Sequence, residues 1–245
     1  MSALHKQFFG NAANFTFVFV GNIEPEAFKP LVEKYIGSIP ASENKTYWKD
    51  DKILPVSGYK DNLFETKMQT PKMSIAYIYT GNMDYTLENK IIIDVLSQIL
   101  RIRYTAVIRE EKGGTYGVRV TGNLNREPKN TYNISISFDS EKEKVEKLDL
   151  LKDITNEFEL IAKNGPSADD LNKIKEFLVK QRKDNLKQNS IWSDYLFSFH
   201  ALNYDGTSDY DKLVDAINTN HVRNMAAKIL NDKNLIRVIM NDKGE

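Results

Sequence analysis

Residues 109–118 read REEKGGTYGV, and they lie where a long apolar helix is predicted to end and a strand to begin. The preceding residues, 87–108, are rich in Ile and Leu, which predicts a helix that is buried along most of its surface. Gly113 and Gly114 permit positive φ and a tight reversal at the junction. The stretch therefore predicts a helix that turns back sharply into a sheet.

The strands predicted after this turn have the alternating pattern of a half-buried sheet. Residues 115–122 and 131–138 alternate apolar and polar side chains, and Pro128 lies in the turn between them. Further strands are predicted at residues 63–68, 73–80 and 235–240, and further helices at residues 145–163, from Ser167 as N-cap, near 191–203 and at 219–230. This order predicts an α+β fold with helices packed on one face of a mostly antiparallel sheet.

The first forty residues form a smaller pattern of one strand and one helix. Residues 15–20 read FTFVFV, which predicts a short buried strand. Pro25 suits the first turn of a helix whose spacing predicts one apolar face, and Gly37 ends it. Residues 40–62 are polar, contain Pro40 and Pro55, and are predicted to be a linker.

A weak internal repeat bears on the domain organisation. The order helix, Asn, apolar strand occurs near the start, in FFGNAANFTFVFVGN, and again near the end, in MAAKILNDKNLIRVIMND. The simplest interpretation is that residues 1–40 close one domain and residues 41–245 form a second, complete copy of it. A coincidental helix–strand ending is the alternative, because such endings are common.

Composition excludes several classes of function. Lys+Arg and Asp+Glu both number 34, so the chain of 245 residues has no net charge that would draw it to nucleic acid or to an anionic membrane. The apolar runs are too short to span a bilayer. Cysteine is absent, which excludes disulfides, thiol nucleophiles and cysteine-based zinc sites. The N-terminus has no signal-peptide pattern, so either the protein is not exported or the chain begins downstream of the true start.

The histidines do not predict a metal site. His5, His200 and His221 are the only three, and none has another histidine three or four residues away. A catalytic zinc ion needs three protein ligands of matched geometry, and neither H-E-x-x-H nor H-x-x-E-H occurs. We therefore expect each histidine to be structural or exposed, and no metal in this chain.

Arg109 and Tyr116 are the candidate binding residues. The turn would present the guanidinium from the helix end and the phenol from the strand start. Together they could donate hydrogen bonds to one carbonyl oxygen and stabilise negative charge developing there. The alternative is that Arg109 caps helix carbonyls and that Tyr116 packs in the sheet.

Three segments resemble the insulinase/pitrilysin-type zinc peptidases, including proteins like the mitochondrial processing peptidase. Residues 108–118, IREEKGGTYGV, resemble the R-E-x-x-G-x-x-Y segment of the non-catalytic half of these enzymes. Residues 14–40 resemble the strand, helix and Gly-Ser-Ile-Pro linker that joins their successive domains. Residues 164–182, NGPSADDLNKIKEFLVKQR, resemble a later helix pair more loosely.

The resemblance implies a metallopeptidase-type α+β domain, repeated around a chamber. It assigns Arg109 and Tyr116 to substrate binding near the scissile bond, with Gly113 and Gly114 as a flexible turn beside the substrate. The H-x-x-E-H motif of the family belongs to its first domain and is missing here, so neither zinc nor the general base is carried over. The zinc ion is expected in a missing N-terminal catalytic domain.

The function implied is that of the C-terminal, substrate-binding and chamber-forming part of a zinc metalloendopeptidase, inactive alone. Its partners would be the N-terminal catalytic half of the same protein and a peptide substrate, and the isolated chain could form a homodimer. A periplasmic location would fit bacterial relatives. The alternatives are a non-catalytic scaffold or interaction subunit of the same fold and, more remotely, an unrelated α+β binding module.

Overall fold

The computed structural model describes residues 2–43, 49, 52 and 54–244. The chain forms two compact units, one of Met1–Lys52 with Lys180–Asp209 and one of Ile53–Val179 with Tyr210–Glu245. Part of the predicted linker, residues 44–48, 50, 51 and 53, lies outside the described residues. No helix in the described ranges is long and apolar enough to cross a membrane.

Helices and strands occur in separate runs along the chain, as expected for an α+β protein. The helices are α1 (Ser2–Phe9), α2 (Pro25–Tyr35), α3 (Leu87–Tyr104), α4 (Lys142–Lys147), α5 (Leu150–Asn164), α6 (Ala168–Asn185), α7 (Asn189–Leu202), α8 (Tyr210–Ala216) and α9 (Thr219–Asn231). The strands are β1 (Tyr59–Thr66), β2 (Met73–Asn82), β3 (Arg119–Asn125), β4 (Thr131–Ser140) and β5 (Leu235–Asp242).

The first unit contains α1, α2, the C-terminal end of α6, and the whole of α7. None of its described residues is buried. The strand predicted at residues 15–20 is wrong. These residues form no strand, and Phe15, Phe17 and Phe19 are each at least 36% exposed. A β-strand is stabilised by hydrogen bonds to a neighbouring strand, and no described segment pairs with this one. The apolar face of α2 is likewise uncovered at Leu31 and Tyr35.

The second unit is built on one five-stranded sheet with the order β1-β5-β2-β4-β3. Three of the pairings are antiparallel, but β1 pairs with β5 in parallel. The prediction of a mostly antiparallel sheet is confirmed, and the sheet is mixed because of this one pair. A parallel pair needs a long crossover connection, and here the rest of the second unit lies between the two strands.

The helices of the second unit cover one face of the sheet, as predicted. Alternate residues of β2, from Met73 to Tyr79, are at most 7% exposed, and alternate residues of β4, from Tyr132 to Phe138, are at most 5% exposed. Against them lie the buried sides of α3, α5 and α9. Period-two burial is typical of a sheet with one covered face, so the intervening side chains of the two central strands form an open face.

Several elements differ from the predictions. The strand predicted at residues 63–68 is β1, Tyr59–Thr66, so residues 59–62 of the predicted linker are part of a strand. The long helix predicted to residue 108 ends as an α-helix at Tyr104 and continues as a π-helical segment, Thr105–Glu111. The strand predicted from residue 115 begins at Arg119. The helix predicted at residues 145–163 is two helices, α4 and α5, because Asp149 has φ 54° and breaks the helical path. Helix α8 was not predicted, since its seven residues are too few for a clear periodicity.

Candidate functional site

Arg109 lies on the π-helical segment that follows α3. Its side chain is exposed, and no hydrogen bond or ion pair of its guanidinium occurs among the described residues. The interpretation that Arg109 caps helix carbonyls is therefore wrong for the described part of the chain. The guanidinium is free to meet a ligand.

The glycine pair makes the reversal that was predicted. Gly113 has φ 59°, a conformation that glycine adopts without steric cost, and its amide donates to the carbonyl of Arg109 at 3.0 Å. Gly114 is buried, its amide donates to the carbonyl of Ile108 at 2.8 Å, and a Cβ there would lie 2.5 Å from a methyl of Leu150. One glycine thus supplies the turn and the other supplies close packing on α5.

Three polar side chains hold the turn in place from beneath. Lys112 Nζ donates to the carbonyl of Leu148 at 2.8 Å and to the carboxylate of Asp153 at 2.6 Å. The Ser140 hydroxyl donates to the carbonyl of Gly114, and Thr115 Oγ1 donates to the carbonyl of Asp139 at 2.7 Å. These bonds tie the turn to α5 and to the end of β4.

Tyr116 projects from the top of this anchored turn. Its relative exposure is 101%, so the ring makes essentially no contact with the rest of the chain. The interpretation that Tyr116 packs in the sheet is wrong. No hydrogen bond joins the side chains of Arg109 and Tyr116 in the part of the chain that is described, and both are presented outward from one short segment.

The anchoring residues are the part of the site that the sequence did not reveal. Lys112 and Thr115 lie inside the quoted stretch, but nothing local shows what they bind. Ser140 enters the site only through the strand pairing that carries the end of β4 to Gly114. Their common signal is the presence of hydrogen-bonding side chains beside a glycine turn, which is too frequent to single them out.

The three histidines serve local structure rather than one shared site. The Nδ1 atom of His221 accepts from the amide of Asn218 at 3.2 Å and completes a capping box at the start of α9. His5 stacks on Phe9 at 5.0 Å between ring centroids, and His200 meets Phe199 edge-on at 5.2 Å. Among the described residues no three His, Asp or Glu side chains group as metal ligands.

Asp139 has a shifted pKa beside the turn. Its carboxylate accepts from Lys72 Nζ at 2.5 Å and from the Ser74 hydroxyl at 2.6 Å. The hydrogen bond from Lys72, followed by that from Ser74, holds the pKa of Asp139 below its ordinary value. Both side chains of the ion pair are more than 40% exposed, so solvent screens much of their attraction.

We expect Asp139→Asn to reduce the free energy of unfolding by less than about 1 kcal/mol at pH 6, because the pair is solvated. The contribution of a carboxyl with a lowered folded pKa is present above its unfolded pKa, about 3.9, and is lost as the pH falls through the folded value. The difference between wild type and variant should therefore shrink below about pH 4. Urea unfolding at pH 6 and pH 3 measures it, and a difference that is the same at both would contradict this assignment.

Known proteins resemble this chain in sequence and in fold. The family described as Peptidase M16 inactive domain matches residues 1–178. A zinc protease PQQL-like protein of Arabidopsis thaliana is 26% identical over 202 residues, which cover 76% of this chain and 21% of the relative.

Two solved structures have the same fold. The periplasmic protease PqqL from Escherichia coli has a TM-score of 0.79 at 18% identity, covering 98% of this chain and 27% of that one. The ferredoxin protease FusC, solved with Arabidopsis ferredoxin, has a TM-score of 0.75 at 20% identity, covering 91% of this chain and 24% of that one. The chain thus spans about a quarter of the length of these relatives.

Proposed function

The chain belongs to the peptidase M16 inactive-domain family, and from that premise we propose that it is the substrate-binding, chamber-forming part of a zinc endopeptidase that cleaves peptides. The observation that carries the proposal is the turn of residues 112–117. The turn is anchored by Lys112, Thr115 and Ser140. The side chains of Arg109 and Tyr116, which are proposed to bind substrate, make no hydrogen bond within the described chain.

The proposed role of the pair is hydrogen-bond donation to a peptide carbonyl. The guanidinium and the phenol are both donors, and a guanidinium keeps its charge at any physiological pH. Donors held in place before the reaction stabilise a developing oxyanion without a further cost of reorganisation. The hydrogen bonds from Lys112, Thr115 and Ser140 that anchor the turn would supply that preorganisation, and the exposed ring of Tyr116 would extend to the substrate.

Zinc is assigned to another part of the complete protein. The H-x-x-E-H motif does not occur in this sequence, and the three histidines lie in local contacts. We propose that an N-terminal catalytic half carries the zinc ion and the general base, and that this chain meets that half across a chamber. Every chemical step that needs the metal then belongs to the partner half.

The same proposal accounts for the exposed apolar side chains of residues 1–40. Residues 1–40 are proposed to close a preceding homologous domain, and residues 41–245 to form the complete non-catalytic domain. The support is the absence of any buried residue among those of residues 1–40 that the structure describes, despite large apolar side chains at Phe8, Phe9, Phe17 and Phe19. A preceding domain would cover them, and an isolated chain left uncovered could pair with a second copy.

A division experiment tests this function. Hydrolysis of a quenched fluorescent peptide is measured with four samples. They are the complete protein, a truncated form of it that ends at residue 52, this chain alone, and the truncated form mixed with this chain. We expect no hydrolysis by this chain alone and a loss of about 10²-fold or more in the shortened protein, because the substrate is no longer positioned. Mixing the pieces should restore part of the rate.

The control is the complete protein treated with a zinc chelator, which should be inactive. If the shortened protein hydrolyses the peptide at the full rate, the proposal is wrong. The alternative of a non-catalytic scaffold or interaction subunit of the same fold would then be favoured.

A further inference from the structure

The open face of the sheet in the second unit contains a trough of about 620 Å³. The strand register explains its shape. Val238 of β5 pairs with Ala76 of β2, Ala76 pairs with Ser137 of β4, and Ser137 pairs with Arg119 of β3. Neighbouring side chains on one sheet face lie about 5 Å apart, so two small side chains between larger ones leave a depression.

The two walls of the trough differ chemically. Val238, Phe64 and Met240 line one side, and this wall is apolar. Gly117 and Arg119 line the other side, directly after Tyr116 in the chain. A Cβ built on Gly117 meets no atom within 4 Å, so this side is open to a ligand. The trough therefore continues from the turn that is proposed to hold substrate.

The Arg119 guanidinium is a charged group of this trough that has no partner among the described residues. Asp139, the carboxylate that also lines the trough, already accepts from Lys72 and Ser74. The structure gives Arg119 no hydrogen bond or ion pair within the described ranges, and its side chain is exposed. Charge complementarity therefore favours a ligand that brings a carboxylate to Arg119 and an apolar group to the opposite wall.

The spacing of the walls suits an extended peptide. Arg119 and Val238 are three inter-strand spacings apart, which is about 14 Å at 4.8 Å each. In an extended peptide, side chains two residues apart point to the same face, with Cα atoms about 7 Å apart. A phenylalanine and an aspartate in that relation, together with the length of the Arg119 side chain, would span the trough.

We infer that this trough is a substrate subsite for an extended peptide segment. The segment has a large apolar side chain and, two residues away on either side, a carboxylate. The inference rests on the proposed function and narrows its substrate class. Within a longer peptide, the segment held here would lie next to the carbonyl that Arg109 and Tyr116 are proposed to bind.

Methyl NMR on the whole chain, residues 1–245, tests the subsite directly. The probe is a blocked pentapeptide of alanines with phenylalanine at position 2 and aspartate at position 4. We expect saturable shifts of the Ala76, Val238 and Met240 methyl signals. Replacing the phenylalanine of the probe by alanine, or its aspartate by asparagine, should each weaken binding about 10-fold.

Two variants of the chain locate the binding. Arg119→Ala should weaken binding of the aspartate probe about 10-fold and leave the asparagine probe unchanged. Gly117→Leu fills open space at the mouth and should abolish the methyl shifts. Arg101→Ala, an exposed arginine of α3, is the matched control and should change nothing.

The inference is overturned if the methyl signals do not shift up to the solubility limit of the probe. It is also overturned if Arg119→Ala and Gly117→Leu both bind the probe as tightly as the wild-type chain does. The peptide would then bind at another place. Neither result touches the division experiment, so the role of the chain in hydrolysis is decided separately from this subsite.

Discussion

Replacing Arg109 by alanine and Tyr116 by phenylalanine in the complete protein is expected to lower peptide turnover about 10²-fold, the scale of a lost oxyanion donor. The loss should fall on kcat more than on KM, because a donor that acts on developing charge stabilises the transition state more than the bound substrate. Steady-state hydrolysis of one defined peptide by the two single variants and the double variant measures it.

The structure separates this effect from damage to the fold. The ring of Tyr116 is fully exposed, and the described chain gives the side chains of Arg109 and Tyr116 no hydrogen-bond partner. Surface substitutions of this kind usually change the free energy of unfolding by no more than about 0.5 kcal/mol. A fall in turnover with unchanged unfolding therefore reports a lost contact to substrate.

A matched control is available in the same chain. Arg101→Ala removes an exposed guanidinium from α3. This variant should not alter turnover appreciably. Turnover that stays at the wild-type level in the double variant of Arg109 and Tyr116 would contradict the proposed function and favour a scaffold of the same fold.

The sequence predicted the position of this turn well, because its signals are local. A buried helix with a β-branched interior, a glycine pair and an alternating strand each leave a periodicity that is visible in one sequence. The exposure of Tyr116 was not visible, since it depends on where the strand begins. The sheet starts at Arg119 rather than at residue 115, which leaves Tyr116 on the loop instead of in the ladder.

Features that depend on distant pairing were missed or misjudged. The parallel pairing of β1 with β5 joins residues more than 170 positions apart, and no local pattern encodes it. Residues 15–20 have the composition of a buried strand, but composition does not supply a partner strand. The anchors at Lys112 and Ser140 are likewise set by the packing of α5 and the end of β4 against the turn.

Helix α5 links the core to the site, and Phe158→Ala is expected to reduce the free energy of unfolding by about 3–5 kcal/mol. Phe158 is fully buried, and its ring meets that of Tyr79 edge-on, with the centroids 4.8 Å apart. Such aromatic pairs contribute about 0.5–1.5 kcal/mol of stability beyond that from the area that they bury. Urea unfolding followed by circular dichroism measures the loss.

The matched control is Phe177→Ala on α6, since that ring is 47% exposed and should cost much less. The substitution at Phe158 also bears on the turn, because α5 carries Asp153, which holds Lys112 at 2.6 Å. We therefore expect amide exchange at residues 112–117 to speed up in Phe158→Ala and to stay unchanged in Phe177→Ala. Equal losses of stability in the two variants would contradict the packing of α5 in the core. The anchoring of the turn through Asp153 and Lys112 would then be contradicted as well.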